Sequence, residues 1–401
     1  MIAFLIALLI SAFAAVVSYW NPRISAVMSV AAVLIAIPFS PFASLILAIA
    51  ILNILSLLAI RKNQIAGVDY AIIALMSLAT VYAFMTSNLA ELLLLFIVVS
   101  TPTYLLIMIS EERLEVEIGI KYITFMVLAT VLFIIGASVV YYAHSAQDMA
   151  LYALGFTALL LGLALEVGIA PLHEWVPDVF ESANPIAVSI IASLAKFVPF
   201  IAAYKILMAT ATLATAQILL ILAIVSAISM FIGNIGALTA KSASRILAYS
   251  SIANMGYILA TFAAIMAPKE FVYYAIAGGL LQLFVNAFGK IGFFNAVKDG
   301  SSSFNAYLLS FSFIGLPPLM GFWSKLFIIY ALVFSNYLWL AIVLILNSAI
   351  SVPYYLRLVR IVGTGWKFSI TNAVTLFCAL AMLVTLIPPS WFVEIVAEGF
   401  K

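Results

Sequence analysis

Charge is what this sequence has least of. Of 401 residues only 8% are Asp, Glu, Lys or Arg, where a soluble chain carries about 25%, and 67% are hydrophobic. That mixture cannot build a water-soluble surface, so lipid is expected to bathe most of the exterior and length says nothing about domain number. Cysteine is nearly missing: Cys378 alone forms no intrachain disulfide, paired-thiolate motif or iron–sulfur site. His144 and His173 are the only histidines, too few for a bis-histidine haem or a histidine-rich metal site. There is no phosphate-binding loop and no sizeable soluble domain. The net charge of +2 is not gathered into a basic block, so nucleic acid is not an expected partner. Neither a cofactor nor a metal is expected, and any driving energy has to arrive from partner chains.

What is there instead is a near-continuous series of apolar stretches of spanning length. They fall at 1–20, 24–39, 41–60, 67–86, 88–110, 117–143, 149–181, 184–208, 212–239, 244–266, 270–297, 304–335, 337–361 and 369–391. Residues 1–19 have no charged leader and read as the first span rather than a signal peptide. Continuous apolarity without period-2 alternation excludes a β-barrel. The expectation is an all-α polytopic membrane protein of about fourteen helices. The connections test that count. Odd-numbered loops hold Arg23, Arg61, Lys62, Arg113, Lys241, Arg245, Lys298, Arg357, Arg360 and Lys367, while even-numbered loops and the tail hold Lys205, Lys269 and Lys401. Basic residues concentrate on the cytoplasmic side, which places both termini outside a cell membrane. The short acidic stretch 111–117 reads as a solvated turn.

Six ionisable groups fall within these spans: Glu91, Lys121, Glu166, Lys196, Lys290 and Lys325. A charge at the centre of a spanning helix costs about 2.5–3.5 kcal/mol on insertion scales. Glu91 and Lys121 are near helix ends, where snorkelling lowers that cost. Lys196 and Lys325 have long apolar flanks on both sides and call for a functional reason. Desolvation and nearby opposite charges act in opposite directions on the proton affinity of such groups, so making or breaking one ion pair loads or releases a proton.

Two over-long spans carry similar interruptions: Gly168-Ile-Ala-Pro171-Leu-His-Glu-Trp175 and Gly315-Leu-Pro-Pro318-Leu-Met-Gly-Phe-Trp323. They are five spans apart and run in opposite directions, as two inverted five-helix repeats require. Broken helices at matching places in two halves mark ion sites in transporters, because freed carbonyls are tolerated at depth only beside protein or a wet cavity. The expected organisation is an N-terminal three-helix segment at 1–62, one half at 63–210, a second at 211–362, and a C-terminal helix at 363–401.

Specific motifs recur along the chain. They are Ala170-Pro-Leu-His173-Glu-Trp175-Val-Pro177-Asp178, Gly233-Asn234-Ile-Gly-Ala-Leu238, Arg245-Ile-Leu-Ala-Tyr249-Ser-Ser251-Ile-Ala-Asn-Met-Gly256-Tyr257, Gly315-Leu-Pro-Pro318-Leu-Met-Gly321-Phe-Trp-Ser-Lys325 and Tyr354-Tyr355-Leu-Arg357. With them the chain resembles the antiporter-like membrane subunits of respiratory complex I, membrane-bound hydrogenases and Mrp-type antiporters, and looks most like the N-type subunits of NADH:quinone oxidoreductase. The resemblance covers about residues 60–365. It implies two half-channels joined by a central charged axis, with Lys121, Lys196 and Lys325 as the sixth-, eighth- and twelfth-helix lysines. The family's eleventh-helix histidine–lysine pair matches Asn286 and Lys290. His173 and Glu174 are further candidates from the first break.

Two positions depart from the pattern. The fifth-helix glutamate, five residues before Pro102, is Ile97. Glu91 lies about 240° around the helix and about 9 Å along it from that position, so it is not a simple substitute. The seventh-helix lysine, thirty residues before Lys196, is Glu166. Glu166 is therefore expected to serve as the acid of the first half, paired with Lys121 or Lys196. The resulting expectation is a proton-translocating subunit of a redox-driven complex, with no redox centre of its own and other membrane subunits as partners. The alternatives are a sodium/proton antiporter subunit and a non-pumping scaffold subunit.

Overall fold

The computed structural model describes residues 2–59, 67–108, 116–213, 215–365, 368–386 and 389–400. Arg61, Lys62, Arg113, Lys367, Lys401 and most of the acidic stretch 111–117 lie outside the described residues. In chain order the helices are α1 (Ile2–Val17), α2 (Pro22–Ile35), α3 (Ala43–Leu57), α4 (Val68–Met85), α5 (Leu89–Ile107), α6 (Val116–Ala146), α7 (Met149–Val167), α8 (Trp175–Ser182) and α9 (Pro185–Ser193). They continue as α10 (Phe197–Thr210), α11 (Ala216–Thr239), α12 (Ala243–Ala260), α13 (Lys269–Asp299), α14 (Ser303–Ile314), α15 (Met320–Phe334), α16 (Leu338–Val362), α17 (Ile370–Ala381) and α18 (Ser390–Gly399). No strand occurs among the described residues.

Local chemistry sets many of these boundaries. Asp148, Thr215, Ser242, Ser302 and Ser369 accept hydrogen bonds from the backbone N–H groups that open α7, α11, α12, α14 and α17, satisfying donors that have no partner inside the helix. Asn184 caps α9, whose first residue is Pro185, a position where the missing N–H costs nothing.

Among the described residues, nine helical segments are long and apolar enough to cross a membrane, and six further apolar helices are shorter, at 10–17 residues. The expectation of an all-helical membrane chain is thus met. Several expected spans are not single helices. The stretch 149–181 is α7, a break and α8, and 304–335 is α14, a break and α15. The stretch 184–208 is interrupted by a tight 3-10 turn at Leu194–Lys196. The last expected span divides into α17 and α18.

The outward faces are apolar, as a lipid solvent requires. Along α6, Ile120, Val127, Leu128, Val131 and Ile135 are exposed. Its inner face meets α7 closely: a Cβ on Gly136 would come within 2.2 Å of the Leu159 nitrogen, and one on Gly162 within 2.4 Å of the Phe133 nitrogen. Small residues at such crossings let backbones approach where no hydrophobic effect drives them together. The centre of the molecule is α13, buried from Ala275 to Ala296 and packed on α9, α12, α14, α15, α17 and α18.

Candidate functional site

Each break ends a helix in the same way. Gly168 closes α7 at φ +77° and Gly315 closes α14 at φ +94°, left-handed conformations that cost glycine little. A helix that stops inside the bundle leaves carbonyls without partners, and here buried side chains take them. Trp175 Nε1 donates to the Leu165 carbonyl at 2.9 Å and Lys196 Nζ to the Val167 carbonyl at 2.6 Å. At the second break, Lys325 Nζ donates to the carbonyls of Phe313 at 2.8 Å and Ile314 at 3.0 Å. Both ammonium groups thus sit at the negative end of a helix dipole, which favours a cation there. Lys325 also lies over the Tyr257 ring, 4.8 Å from its centroid. Lys196 ends the 3-10 turn between α9 and α10, an irregularity of the kind that marks hinges.

Lys290 is fully buried on α13. Its Nζ donates to the Leu247 carbonyl at 2.5 Å and to Ser250 Oγ at 2.9 Å, both on α12, and stands 5.3 Å from the Phe313 ring centroid. One turn earlier, Asn286 donates to the Ala192 carbonyl at 2.8 Å and joins α13 to α9. Among the described residues no carboxylate lies within ion-pairing distance of Lys196, Lys290 or Lys325.

Glu166 is buried near the end of α7, and its Oε2 has no hydrogen-bond partner. Ser100, Tyr104 and Tyr122 from α5 and α6 surround it, and it interacts electrostatically with Lys196. The Lys196 ammonium, however, bonds the carbonyl next to the carboxylate rather than the carboxylate itself. Ile97 is 39% exposed.

The other candidates stand apart from the row. Lys121 is ion-paired with Asp178 on α8, both nearly half exposed, so the expected pairing with Glu166 is corrected to Asp178. Arg245 on α12 joins them, 3.8 Å from Asp178 and 2.8 Å from Glu181. This network straps the short helix α8 to α6 and α12 at one end of the bundle. Glu91 is in the first turn of α5, where Tyr82 donates to it at 2.9 Å and Thr86 also donates. Glu174 is exposed, and His173 Nδ1 lies 3.1 Å from the Pro171 carbonyl within the break.

The structure adds residues that sequence reasoning missed. Asn254 Nδ2 donates to the Ser250 carbonyl at 2.6 Å, Gln282 Nε2 donates to Asn254 Oδ1, and Ser324 Oγ donates to Gln282 Oε1. A buried polar file therefore runs from Lys290 to the residue beside Lys325. The signal for it was present: Gln282, Asn286 and Lys290 recur every fourth residue on an otherwise apolar helix, and Ser250 and Asn254 repeat the spacing on α12.

Comparison with known proteins identifies the family. Residues 86–351 match the family model described as NADH:quinone oxidoreductase/Mrp antiporter, TM. NADH-quinone oxidoreductase subunit N 2 of Aquifex aeolicus is 28% identical over 371 residues, covering 85% of this chain and 73% of its own. NADH-quinone oxidoreductase subunit N of Coxiella burnetii is 30% identical over 344 residues, covering 75% and 69%. In fold, the chain is like one in the Mrp complex from Dietzia sp., with TM-score 0.82, 16% identity and coverage of 99% and 96%. It is also like one in respiratory complex I from Thermus thermophilus, with TM-score 0.73, 22% identity and coverage of 97% and 98%. The chain belongs to the family of NADH:quinone oxidoreductase and Mrp antiporter transmembrane subunits.

Proposed function

We propose that this chain is a proton-translocating membrane subunit of a larger redox-driven complex, seated among other membrane subunits in a cell membrane. The observation that carries the reading is the set of three lysines, Lys196, Lys290 and Lys325, buried on different elements with carbonyl and hydroxyl partners and, among the described residues, no ion-paired carboxylate. A fixed ammonium at such depth costs about 2.5–3.5 kcal/mol on insertion scales. An amine that alternates between charged and neutral carries that cost for only part of a cycle, and a carbonyl accepts a hydrogen bond from either form. Glu166 supplies the acid of the first half, and Lys121 with Asp178 forms its outer, solvent-facing group. Glu91, His173 and Glu174 have no part in the row.

The relatives' names, which are those of quinone oxidoreductase subunits, support a redox-driven parent over a free-standing carrier. A sodium/proton antiporter subunit is the alternative, supported by a family description that joins quinone oxidoreductase and Mrp antiporter subunits. Fourteen crossings, inverted halves at 63–210 and 211–362, and both termini outside are parts of the same reading. They are supported by the basic-residue asymmetry and by the two like breaks. A non-pumping scaffold role is the second reading, favoured by the apolar, exposed Ile97. The test is the complex reconstituted in vesicles: Lys325→Met is expected to abolish proton translocation with the subunits still assembled. Full translocation by that variant would support the scaffold.

A further inference from the structure

Two basic side chains outside the buried row meet at one cavity of about 510 Å³. Lys205 on α10 and Lys269 on α13 line it, together with Tyr141 on α6, Tyr273 on α13 and Phe400 just after α18. Its walls are helix ends. Ser87 joins α4 to α5, Ala211 follows α10, Ala267 precedes α13, and Gly399 closes α18. The helices α4, α5, α6 and α13, and the segment that contains α10, are long and apolar enough to cross a membrane. Spanning helices that end together end where the hydrocarbon gives way to headgroups. Tyrosines gather at that level, as Tyr141 and Tyr273 do here.

The charge at this cavity has one sign. Lys205 is partly buried, and its Nζ donates to the carbonyl of Phe84 at 2.9 Å and to that of Thr86, at the C-terminal end of α4. An ammonium has three donors, so one remains after these two. Lys205 also stands 5.6 Å from the Phe400 ring centroid. Lys269 is exposed at the start of α13, one turn before Tyr273 and on the same face. Pro268 offers that helix no capping oxygen, so the positive end of a 31-residue helix adds to the two cations. Among the described residues no carboxylate lines the cavity, and none lies within ion-pairing distance of either lysine. Glu91, which shares Thr86 with Lys205, takes the hydroxyls of Tyr82 and Thr86 instead, and the exposed Glu270 is not part of the lining.

The remaining lining includes Met208, Ile265 and Val272, which are apolar. Beside the lining Tyr141, Tyr142 is 67% exposed and continues the outward stripe of Val131 and Ile135 on α6. A basic cavity at headgroup level that borders a lipid-facing helix suits one kind of occupant. We propose that it binds an anionic phospholipid, with the phosphate between the Lys205 and Lys269 ammonium groups and the acyl chains laid along the outer face of α6. The headgroup then ties the α4–α5 connection, α10, α13 and the end of α18 together. The assignment goes beyond the relay reading and does not depend on it.

The test uses the full chain, purified in a non-ionic detergent with whatever membrane subunits accompany it. Phosphatidylglycerol, phosphatidylcholine or inorganic phosphate is added, and retained lipid is counted by native mass spectrometry beside the thermal midpoint. The parent is expected to retain phosphatidylglycerol and to gain in midpoint, with no such response to phosphatidylcholine. Lys269→Gln is expected to weaken retention about fivefold, and Lys205→Gln/Lys269→Gln about 25-fold, from the attraction of each basic residue for anionic lipid. Because Lys205 also holds the end of α4, the exposed Lys269 is the variant that decides if the double variant does not fold, and Lys269→Arg is expected to restore retention. Lys241→Gln, at a different cavity, is expected to retain lipid as the parent does. Parental retention in Lys269→Gln overturns the proposal, as does an equal loss in Lys241→Gln or an equal response to phosphatidylcholine. A midpoint gain from inorganic phosphate with displacement of the lipid would assign the cavity to a free anion and overturn the lipid.

Discussion

The Lys196 ammonium lies 2.6 Å from the carbonyl oxygen of Val167, the last residue of α7. The contact joins a spanning helix that tightens at its middle to one that stops inside the bundle. It places a titratable amine against a helix end rather than against the nearby Glu166. Lys325 repeats the relationship with Ile314 at the end of α14.

Removing the charge at the first of these contacts separates function from stability. Lys196→Met fills similar volume and removes a buried amine whose desolvation costs several kcal/mol, while leaving one carbonyl unpaired at about 1–3 kcal/mol. The expected result is loss of proton translocation with the thermal midpoint of the complex unchanged or raised. A large fall in midpoint would make Lys196 a structural strut.

Arginine at 325 distinguishes positive charge from proton exchange. A guanidinium can reach the Phe313 and Ile314 carbonyls but does not deprotonate in proteins. Lys325→Arg is expected to assemble and to pump no better than Lys325→Met. Pumping by the arginine variant would show that a fixed charge suffices.

Glu166 has a buried oxygen without a partner and an electrostatic link to Lys196. Glu166→Gln preserves shape and removes the exchangeable proton. It is expected to lower the number of protons moved per electron while leaving passage through the second half intact. An unchanged ratio would mean that the first half does not depend on this acid.

Gly321 bears on the geometry of the second break. A Cβ there would stand 1.7 Å from the Ser312 carbonyl oxygen. Backbone on both sides has to move, and overpacking of this kind costs about 1–3 kcal/mol. Gly321→Ala is expected to lower the thermal midpoint and to impair pumping through displacement of Lys325. Gly365→Ala is expected to leave translocation unchanged, since that glycine lies far from the break along the chain, although its φ of +108° makes the substitution strained in spite of the open space around it.

Orientation is checked by thiol labelling. The native Cys378 is buried, so a membrane-impermeant maleimide reads introduced cysteines alone. A cysteine at the exposed Gln147, between α6 and α7, is expected to label in whole cells, and one at the exposed Lys241 only after lysis. The reverse pattern would place the termini inside.

The sequence by itself determined what depends on local order. Composition dictated the lipid solvent, hydrophobic runs dictated helices, and Gly168, Pro171, Gly315 and Pro318 dictated where two of them break. Lys196, Lys290 and Lys325 were legible for the same reason, since charge within an apolar run is conspicuous in one dimension. Tertiary structure alone decided the partners. Lys121 meets Asp178, 57 residues away, and Ser324 meets Gln282, 42 residues away. The 3-10 turn at Lys196 and the division of α17 from α18 went unread, although Pro199 and the pair Pro388–Pro389 mark both places. In hydrocarbon every polar side chain must find a partner wherever the packing of helices offers one. Which partner it finds is fixed by helix rotation and depth, which a linear pattern of apolar residues does not encode.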